Sequence, residues 1–508
     1  MSTAARRICV SICETDVAAL TTTIRSAAEL GDIVEIRLDC FTEEQLPLAI
    51  AELRTQSSIP TILTLRPHAD GGRDINGDYR IRFWRQSGFS LPATFVDLEV
   101  DIAEQLLAEG DTIVDWSRVI CSVHDFHDGI NDLNLLYERL ARIPARVLKI
   151  AVVPDDAVDN ASIFRLLSRA KSESRELIAI GMGTAGIATR VLGPSHGSVF
   201  TYAAFDPRRP TAPGQPSLTE LVDQYRINQI NEATQVAGLI GDPVSHSLSP
   251  QIHNAAFKAQ DLNAVYIPFE VRDCGAFIRR MVHPRTREIN LNMWGLSVTS
   301  PHKRGVIEHL DSIDPVAFEI GAVNTIIVEH KLLRGYNTDA IGFISALKQR
   351  IGHLRGLRCA VIGAGGVAMA AIYTLLAEGA SANIFVRDIG RAKAVTEKFG
   401  VRASEVENSS FDGYDVVINA TGLGTAGDLE GYTPVAAAQL RGARLAYDLV
   451  YNPTETRFLR EAEQAGCETL GGLSMFVAQA AEQFRLWTGR QAPAGVMHAA
   501  AAGALSRQ

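Results

Sequence analysis

Thr211-Ala212-Pro213-Gly214-Gln215-Pro216-Ser217-Leu218-Thr219-Glu220, followed downstream by Gly241-Asp242-Pro243-Val244-Ser245-His246-Ser247-Leu248-Ser249-Pro250, marks where one part of the chain ends and another begins. The first run is a Pro/Gly loop opening an amphipathic helix. Ser217 and Glu220 have capping-box spacing, and Leu218, Leu221, Val222 and Tyr225 share one face. Asn228 to Gln235 reads as about one further helical turn, and Val236 to Ile240 as a new strand that feeds the hydroxyl-rich second run.

To the left, β-rich runs recur at Ile8-Cys13, Ile33-Asp39, Pro60-Pro67, Phe95-Val100, Arg118-Phe126, Val147-Val153, Leu177-Gly183 and Ser198-Phe205. Helical patterns fill most gaps, so repeated βα units predict an α/β fold with a (β/α)8 TIM barrel, whose chemistry belongs at the strand C-termini. Glu35, Arg37 and Asp39 alternate on one face of the second run, and Asp97 and Glu99 on one face of the fourth. Arg66 closes the third and His124 stands near the end of the fifth. Lys149 lies among Val147, Leu148, Ile150, Ala151, Val152 and Val153, where an unpaired ammonium is costly. Two readings follow, a neutral amine that attacks a ketone or a structural ion pair with a neighbouring strand.

To the right, Ser249-Pro250 reads as an N-cap with proline in the first turn, placing Ser247 and Ser249 near free backbone N–H groups. Polar loops at Thr299-Ser300-Pro301-His302-Lys303, Gly321-Ala322-Val323-Asn324-Thr325 and Gly335-Tyr336-Asn337-Thr338-Asp339 follow. The apolar strand Leu357 to Ile362 then meets Gly363-Ala364-Gly365-Gly366-Val367-Ala368 and an Ala-rich helix, a G-x-G-x-x-A dinucleotide fingerprint in strand-turn-helix context. After the strand Asn383 to Val386, Arg387 and Arg391 favour a 2′-phosphate and NADP, whereas Asp388 favours a ribose hydroxyl and NAD. Tyr414 to Asn419 and Arg444 to Tyr451 extend an open parallel sheet.

With 508 residues, 46% hydrophobic and 21% charged, the chain has the profile of a multidomain soluble enzyme. A net charge of -9 without long like-charge runs argues against nucleic acid and membrane partners. The seven cysteines are scattered and lack a CxxC, which predicts small core residues, a reducing compartment and no metal site. Arg6-Arg7 leads into a strand with Glu14 following, unlike a signal peptide, so the expected location is cytoplasmic. Oligomeric state is not legible.

Glu35-Ile-Arg37-Leu-Asp39, Asp97-Leu-Glu99, Ser122-Val-His124-Asp125-Phe126, Leu148-Lys149-Ile150, Met182-Gly183-x-x-Gly186-x-x-x-Arg190 and Ala212-Pro213-Gly214-Gln215 resemble type I 3-dehydroquinate dehydratase. The resemblance implies that Lys149 forms an iminium with the substrate ketone, and that His124 moves the proton with Glu99 positioning it. It also implies that Glu35, Arg37, Arg66, Arg190 and Gln215 hold the substrate; Thr211 stands where the family often has serine.

The second half, from Gly241-Asp242-Pro243 to Gly472-Leu473-Ser474-Met475-x-x-x-Gln479, resembles shikimate dehydrogenase. That likeness implies a Lys303/Asp339 catalytic dyad, substrate contacts from Ser247, Ser249, Thr299, Asn324 and Gln479, and Thr421 and Gly472 beside the cofactor. Val386-Arg387-Asp388 and Gly422 depart from the family pattern.

Together the halves imply a bifunctional enzyme that dehydrates 3-dehydroquinate and reduces 3-dehydroshikimate to shikimate with NADPH. The expected domains are 1–230 for the barrel, 234–340 for an α/β substrate lobe, 341–470 for a Rossmann lobe and 471–508 for helices returning to the substrate lobe. The rival readings are a quinate dehydrogenase in the second half and a non-catalytic metabolite sensor.

Overall fold

The computed structural model describes residues 8–55, 59–127 and 130–506; Arg6-Arg7 lie outside them. Two compact units divide the chain. The first runs to Thr234 and takes in Ile267–Met281 and Arg287–Leu291, and the second holds Gln235–Tyr266, Val282–Thr286 and everything from Asn292.

In the first unit, strands β1 (Ile8–Ile12), β2 (Ile33–Arg37), β3 (Thr61–Thr64), β4 (Phe95–Glu99), β5 (Val119–Asp125), β6 (Val147–Val152), β7 (Glu176–Gly181) and β8 (Thr201–Ala204) form one parallel sheet. β8 returns to pair with β1, and the bridge Leu177–Ser198 brings β7 to the approach of β8, so the sheet curls nearly shut. All eight expected runs are strands, each ending a residue or more short of the expected C-terminus, and β7 beginning one residue earlier than expected.

Alternation along each strand sends every second side chain inward. Ile33, Phe95, Val147 and Phe200 from the even strands, with Cys9, Ile62, Ile120 and Ile178 from the odd ones, fill the lower barrel with apolar atoms. Two residues further along the even strands stand Glu35, Asp97, Lys149 and Tyr202. The strand register, with the stagger a barrel of this kind requires, places these four in one layer toward the strand C-termini.

The capping box forms as expected: Ser217 N donates to Glu220 Oε2 at 2.7 Å and Glu220 N to Ser217 Oγ at 3.1 Å. The helix behind it is short and widens into π geometry over Glu220–Gln224. The cysteine expectation needs correction. Cys13 follows β1 and Cys40 closes the turn after β2, and because these strands are paired their Cα atoms lie 5.5 Å apart, within disulfide reach. They are joined, while Cys9, Cys121, Cys274, Cys359 and Cys467 are free and buried.

From Gln235 onward the chain forms two six-stranded sheets. β9 (Gln235–Gly241), β10 (Ala264–Glu270), β11 (Met293–Val298), β12 (Ser312–Ile313), β13 (Thr325–Glu329) and β14 (Leu332–Tyr336) lie in the order β10-β9-β11-β13-β14-β12, with antiparallel pairs at β13. β15 (Arg358–Ile362), β16 (Ser381–Val386), β17 (Arg402–Glu405), β18 (Val416–Asn419), β19 (Leu445–Asp448) and β20 (Glu468–Leu470) form a parallel sheet ordered β17-β16-β15-β18-β19-β20. That order reverses direction at β15, the doubly wound arrangement in which a dinucleotide binds beyond the strand C-termini. The helix Leu473–Thr488 packs its Phe476, Ala480, Phe484 and Trp487 into the core of the first of these sheets. Among the described residues no helix is long and apolar enough to cross a membrane.

The helix after the hydroxyl-rich loop runs from Ser249 to Ala259 with Leu248 as its cap residue, so Ser249 is inside the first turn rather than capping it. Ser247 fills the vacated role, its Oγ accepting from Ser249 N at 3.2 Å.

Candidate active sites

Strand β6 carries Lys149 to the barrel's charged layer, where its Nζ lies 3.0 Å from Asp97 Oδ2 and 3.8 Å from Glu35 Oε1. Burial disfavours ionisation of Asp97, but Arg66, Lys149 and His124 outweigh it and hold the carboxyl well below the usual carboxylate range. Both readings of Lys149 are therefore present in the geometry: it is ion-paired, and it also lines a cavity with His124, Arg37, Arg190 and Gln215. A purely structural pair has no need of such a cavity.

His124 Nδ1 has no partner among the described residues, and burial together with Arg66 and Lys149 depresses its pKa well below the ordinary value. The imidazole is thus neutral near pH 7 and able to accept a proton. Glu99, expected to position it, makes no hydrogen bond to it among the described residues. Its carboxylate accepts from Arg66 Nη1 and Arg80 Nη1, both at 2.8 Å, because Glu99 ends β4 between these two buried guanidinium groups. Burial pushes the Glu99 carboxyl up to about 7 against the pull of those arginines. The acids that share the cavity with His124 are Glu35 and Asp70, the latter from the turn after β3 with its pKa raised by burial.

Arg66 lines the cavity too, yet its guanidinium is bound to Asp97, Glu99 and Ser122, each at 2.8 Å. Arg37 is held by Asp39 through Nε at 2.9 Å and Nη2 at 2.7 Å, which fixes its plane. Glu35 accepts from Ser11 Oγ at 2.6 Å and Thr64 Oγ1 at 2.9 Å. Arg190 is the least paired cation of this lining: Nη2 donates to Pro213 O at 3.2 Å, Nε has no partner among the described residues, and burial lowers its pKa to about 10. Thr211 N and Oγ1 both donate to Gln215 Oε1 at 2.9 Å, tying the closing loop to itself. Gly214 in that loop has φ +62°, and a Cβ there would lie 2.4 Å from the Gly183 backbone, so only glycine allows the loop to settle on the turn after β7.

In the second unit Lys303 Nζ lies 2.6 Å from Asp339 Oδ2, and Asn324 Nδ2 donates to Asp339 Oδ1 at 2.8 Å. Thr338 N donates to Asn324 Oδ1 at 2.7 Å, so the amide's orientation is set by backbone. Ser247, Ser249, Thr299, Asn324 and Gln479 line the same cavity of about 340 Å³ as the Lys303/Asp339 pair. Ser297 and Gln483 line it as well and are linked at 2.8 Å, with Tyr266 OH donating to Ser297 Oγ. Both were legible in principle: Ser297 shares a strand face with Thr299, and Gln483 is one helical turn beyond Gln479.

The fingerprint loop fits a dinucleotide. Gly363 has φ +114° and a Cβ there would lie 2.9 Å from Ala420 O, while a Cβ on Gly365 would meet nothing within 4 Å, leaving open approach for a phosphate. Ala364 follows β15, and Gly366, Val367 and Ala368 open the helix Gly366–Ala377, which points its N-terminus at that space. Thr421 lines the cavity, its hydroxyl donating to Asn419 Oδ1 at 2.6 Å; Gly472 caps the helix Leu473–Thr488 outside that lining. Past β16, Asp388 accepts from Gly390 N at 2.8 Å, while Arg387 and Arg391 are exposed.

Residues 8–232 match a family described as type I 3-dehydroquinase, and 239–326 one described as the shikimate dehydrogenase substrate binding domain. Residues 351–426 match a putative NAD(P)-binding family and 472–502 the shikimate 5'-dehydrogenase C-terminal domain. The bifunctional 3-dehydroquinate dehydratase/shikimate dehydrogenase of Arabidopsis thaliana, a chloroplastic protein, is 34% identical over 96% of this chain and 82% of its own length. This chain belongs to that bifunctional family. The shikimate biosynthesis protein AroDE of Chlamydia pneumoniae, 30% identical, spans 91% of both chains. A shikimate dehydrogenase crystallised with NADP+ is 38% identical, with a TM-score of 0.51, over 54% of this chain and 97% of its own. In the bifunctional family's terms, the barrel is the dehydratase half and the two-sheet unit the dehydrogenase half.

Proposed function

We propose that the barrel dehydrates 3-dehydroquinate to 3-dehydroshikimate through a Schiff base on Lys149, and that the second half reduces this product to shikimate. The observation that carries the reading is a lysine set in a ring of charge beside a neutral histidine, lining one cavity with an under-partnered arginine. Lys149 adds to the ketone, water leaves, and the resulting iminium acidifies the neighbouring C–H. His124 takes that proton and returns it to the departing hydroxyl, and water then hydrolyses the C=N bond to release the product ketone and the free lysine. Glu99, the residue the family resemblance assigns to positioning His124, is itself held between Arg66 and Arg80. Arg190 receives the substrate carboxylate, Gln215, Arg37 and Glu35 face its hydroxyls, and Arg66 serves mainly to fix Asp97.

In the dehydrogenase half Lys303 gives the proton to the oxygen being reduced, with Asp339 holding the ammonium in place. Ser247 and Ser249 take the carboxylate, and Asn324, Thr299 and Gln479 the ring hydroxyls. Residues Gly363 to Ala368 cradle the pyrophosphate, with Thr421 near the nicotinamide. NADPH, when bound, supplies the hydride. We assign NADP over NAD because the Asp388 carboxylate is occupied by Gly390 N–H while Arg387 and Arg391 remain exposed for a 2′-phosphate. The domain division at 230, 340 and 470 and a cytoplasmic location belong to this reading.

The test is one assay: 3-dehydroquinate with NADPH or NADH, following nicotinamide oxidation and identifying the product. Shikimate formed faster with NADPH supports every part. Oxidation only when 3-dehydroshikimate is supplied would remove the dehydratase assignment, and turnover of quinate over shikimate would change the substrate of the second half.

A further inference from the structure

Tyr202 holds none of the roles above. It stands on β8 in the layer with Glu35, Asp97 and Lys149, is 4% exposed, and lines the dehydratase cavity. Its ring centroid lies 4.2 Å from Lys149 Nζ, and its hydroxyl has no hydrogen-bond partner among the described residues. Burial, with Cys9 and Glu35 nearby, raises the phenol's pKa well above the ordinary value, so the side chain stays uncharged. What it presents to the nitrogen is the negative face of an aromatic ring.

The nitrogen changes form during the reaction. As an ammonium it has three N–H donors, which suit the Asp97 and Glu35 carboxylates. When the amine adds to the ketone carbon and the carbonyl oxygen leaves as water, the C=N bond leaves a cation with a single N–H. Two of the three N–H donors are then lost while the charge remains. A ring face needs no N–H to attract a cation, so its share of the stabilisation grows as the iminium forms, the differential that accelerates a step. A third carboxylate in its place would instead stabilise the ammonium, which has no lone pair with which to attack.

We propose that Tyr202 is a catalytic residue of the dehydratase, its ring face stabilising the positive charge of the iminium on Lys149. The proposal rests on Lys149 as nucleophile.

The experiment treats full-length wild type, Tyr202→Leu and Tyr202→Phe with 3-dehydroquinate and sodium borohydride, and measures the reduced adduct on the Lys149 peptide by mass spectrometry. Dehydratase kcat is measured alongside, with far-UV circular dichroism and thermal unfolding as the check that each chain, barrel included, is folded. Leucine is expected to lower both kcat and adduct on the order of 10-fold, and phenylalanine to recover most of that loss. Leucine values within twofold of wild type would overturn the proposal, as would a phenylalanine variant that falls as far as leucine, which would place the effect in the hydroxyl. Wild type without adduct on Lys149 would remove the nucleophile assignment and this inference with it. If leucine prevents folding, fluorinated phenylalanines at position 202 withdraw charge from the ring at nearly constant shape. A stepwise fall in kcat supports the proposal; a flat series overturns it.

Discussion

Lys303 Nζ lies 2.6 Å from Asp339 Oδ2, and the other oxygen of that carboxylate accepts from Asn324. The ammonium is therefore pointed into the cavity by a partner that is itself fixed. Lys303→Ala is expected to reduce dehydrogenase kcat by roughly 10²–10⁴-fold, the usual contribution of a positioned proton donor. Dehydratase turnover in the same preparation should be unchanged. Equal losses in both activities would mean that the substitution damages the fold instead.

The acid limb of the dehydratase reports on His124. Its folded pKa is depressed by burial, Arg66 and Lys149, so the imidazole remains a base below the ordinary histidine value. Dehydratase kcat/KM should hold its plateau through pH 6.5 and fall only in more acid solution. The sign for stability follows: the unfolded chain binds the proton first, so this group's contribution is present above the unfolded pKa and is lost as pH falls from there toward the folded pKa. A midpoint at or above 6.5 that disappears in His124→Ala would contradict the environment described.

Arg80 and Glu99 are both buried, and Arg66 shares the same carboxylate. Arg80→Leu leaves one oxygen of a buried acid without its cation, which is expected to cost about 3 kcal/mol or more in unfolding free energy. Because Arg80 is outside the dehydratase cavity lining, KM should move far less than stability. Chemical denaturation followed together with turnover separates the two, and a large KM change at unaltered stability would give Arg80 a substrate-facing role instead.

The Cys13–Cys40 bond closes a loop of sequence separation 27, for which chain-entropy arguments give about 3 kcal/mol of stabilisation. The five remaining cysteines are buried. Native oxidised protein should therefore take up no alkylating reagent, and after mild treatment with a dithiol only Cys13 and Cys40 should be labelled. Labelling of other positions at native conditions would show that the burial pattern is wrong.

Much of this was readable from local pattern. The eight strand runs, the Pro/Gly joint before Ser217, the glycine fingerprint after β15 and the lysine set among apolar neighbours each depend on residues close together in the chain. Such signals survive without knowledge of the fold because they express backbone geometry and the cost of burying charge.

Other features depended on which strand lies beside which. Glu99 has the right residue type and nearly the right place to orient His124, yet Arg80, carried in from the helix Gly77–Gln86, takes its second oxygen. Asp70 closes the single 3-10 turn His68–Asp70, too short for any periodicity to expose it. Cys13 and Cys40 look like scattered core residues until β1 and β2 are paired. The sequence by itself determined the barrel, the dinucleotide fold and the apolar setting of Lys149, because each rests on short-range chemistry. Only the tertiary structure decided that Lys149 meets Asp97 and the face of Tyr202, since barrel closure and strand stagger bring together residues that no spacing along the chain relates.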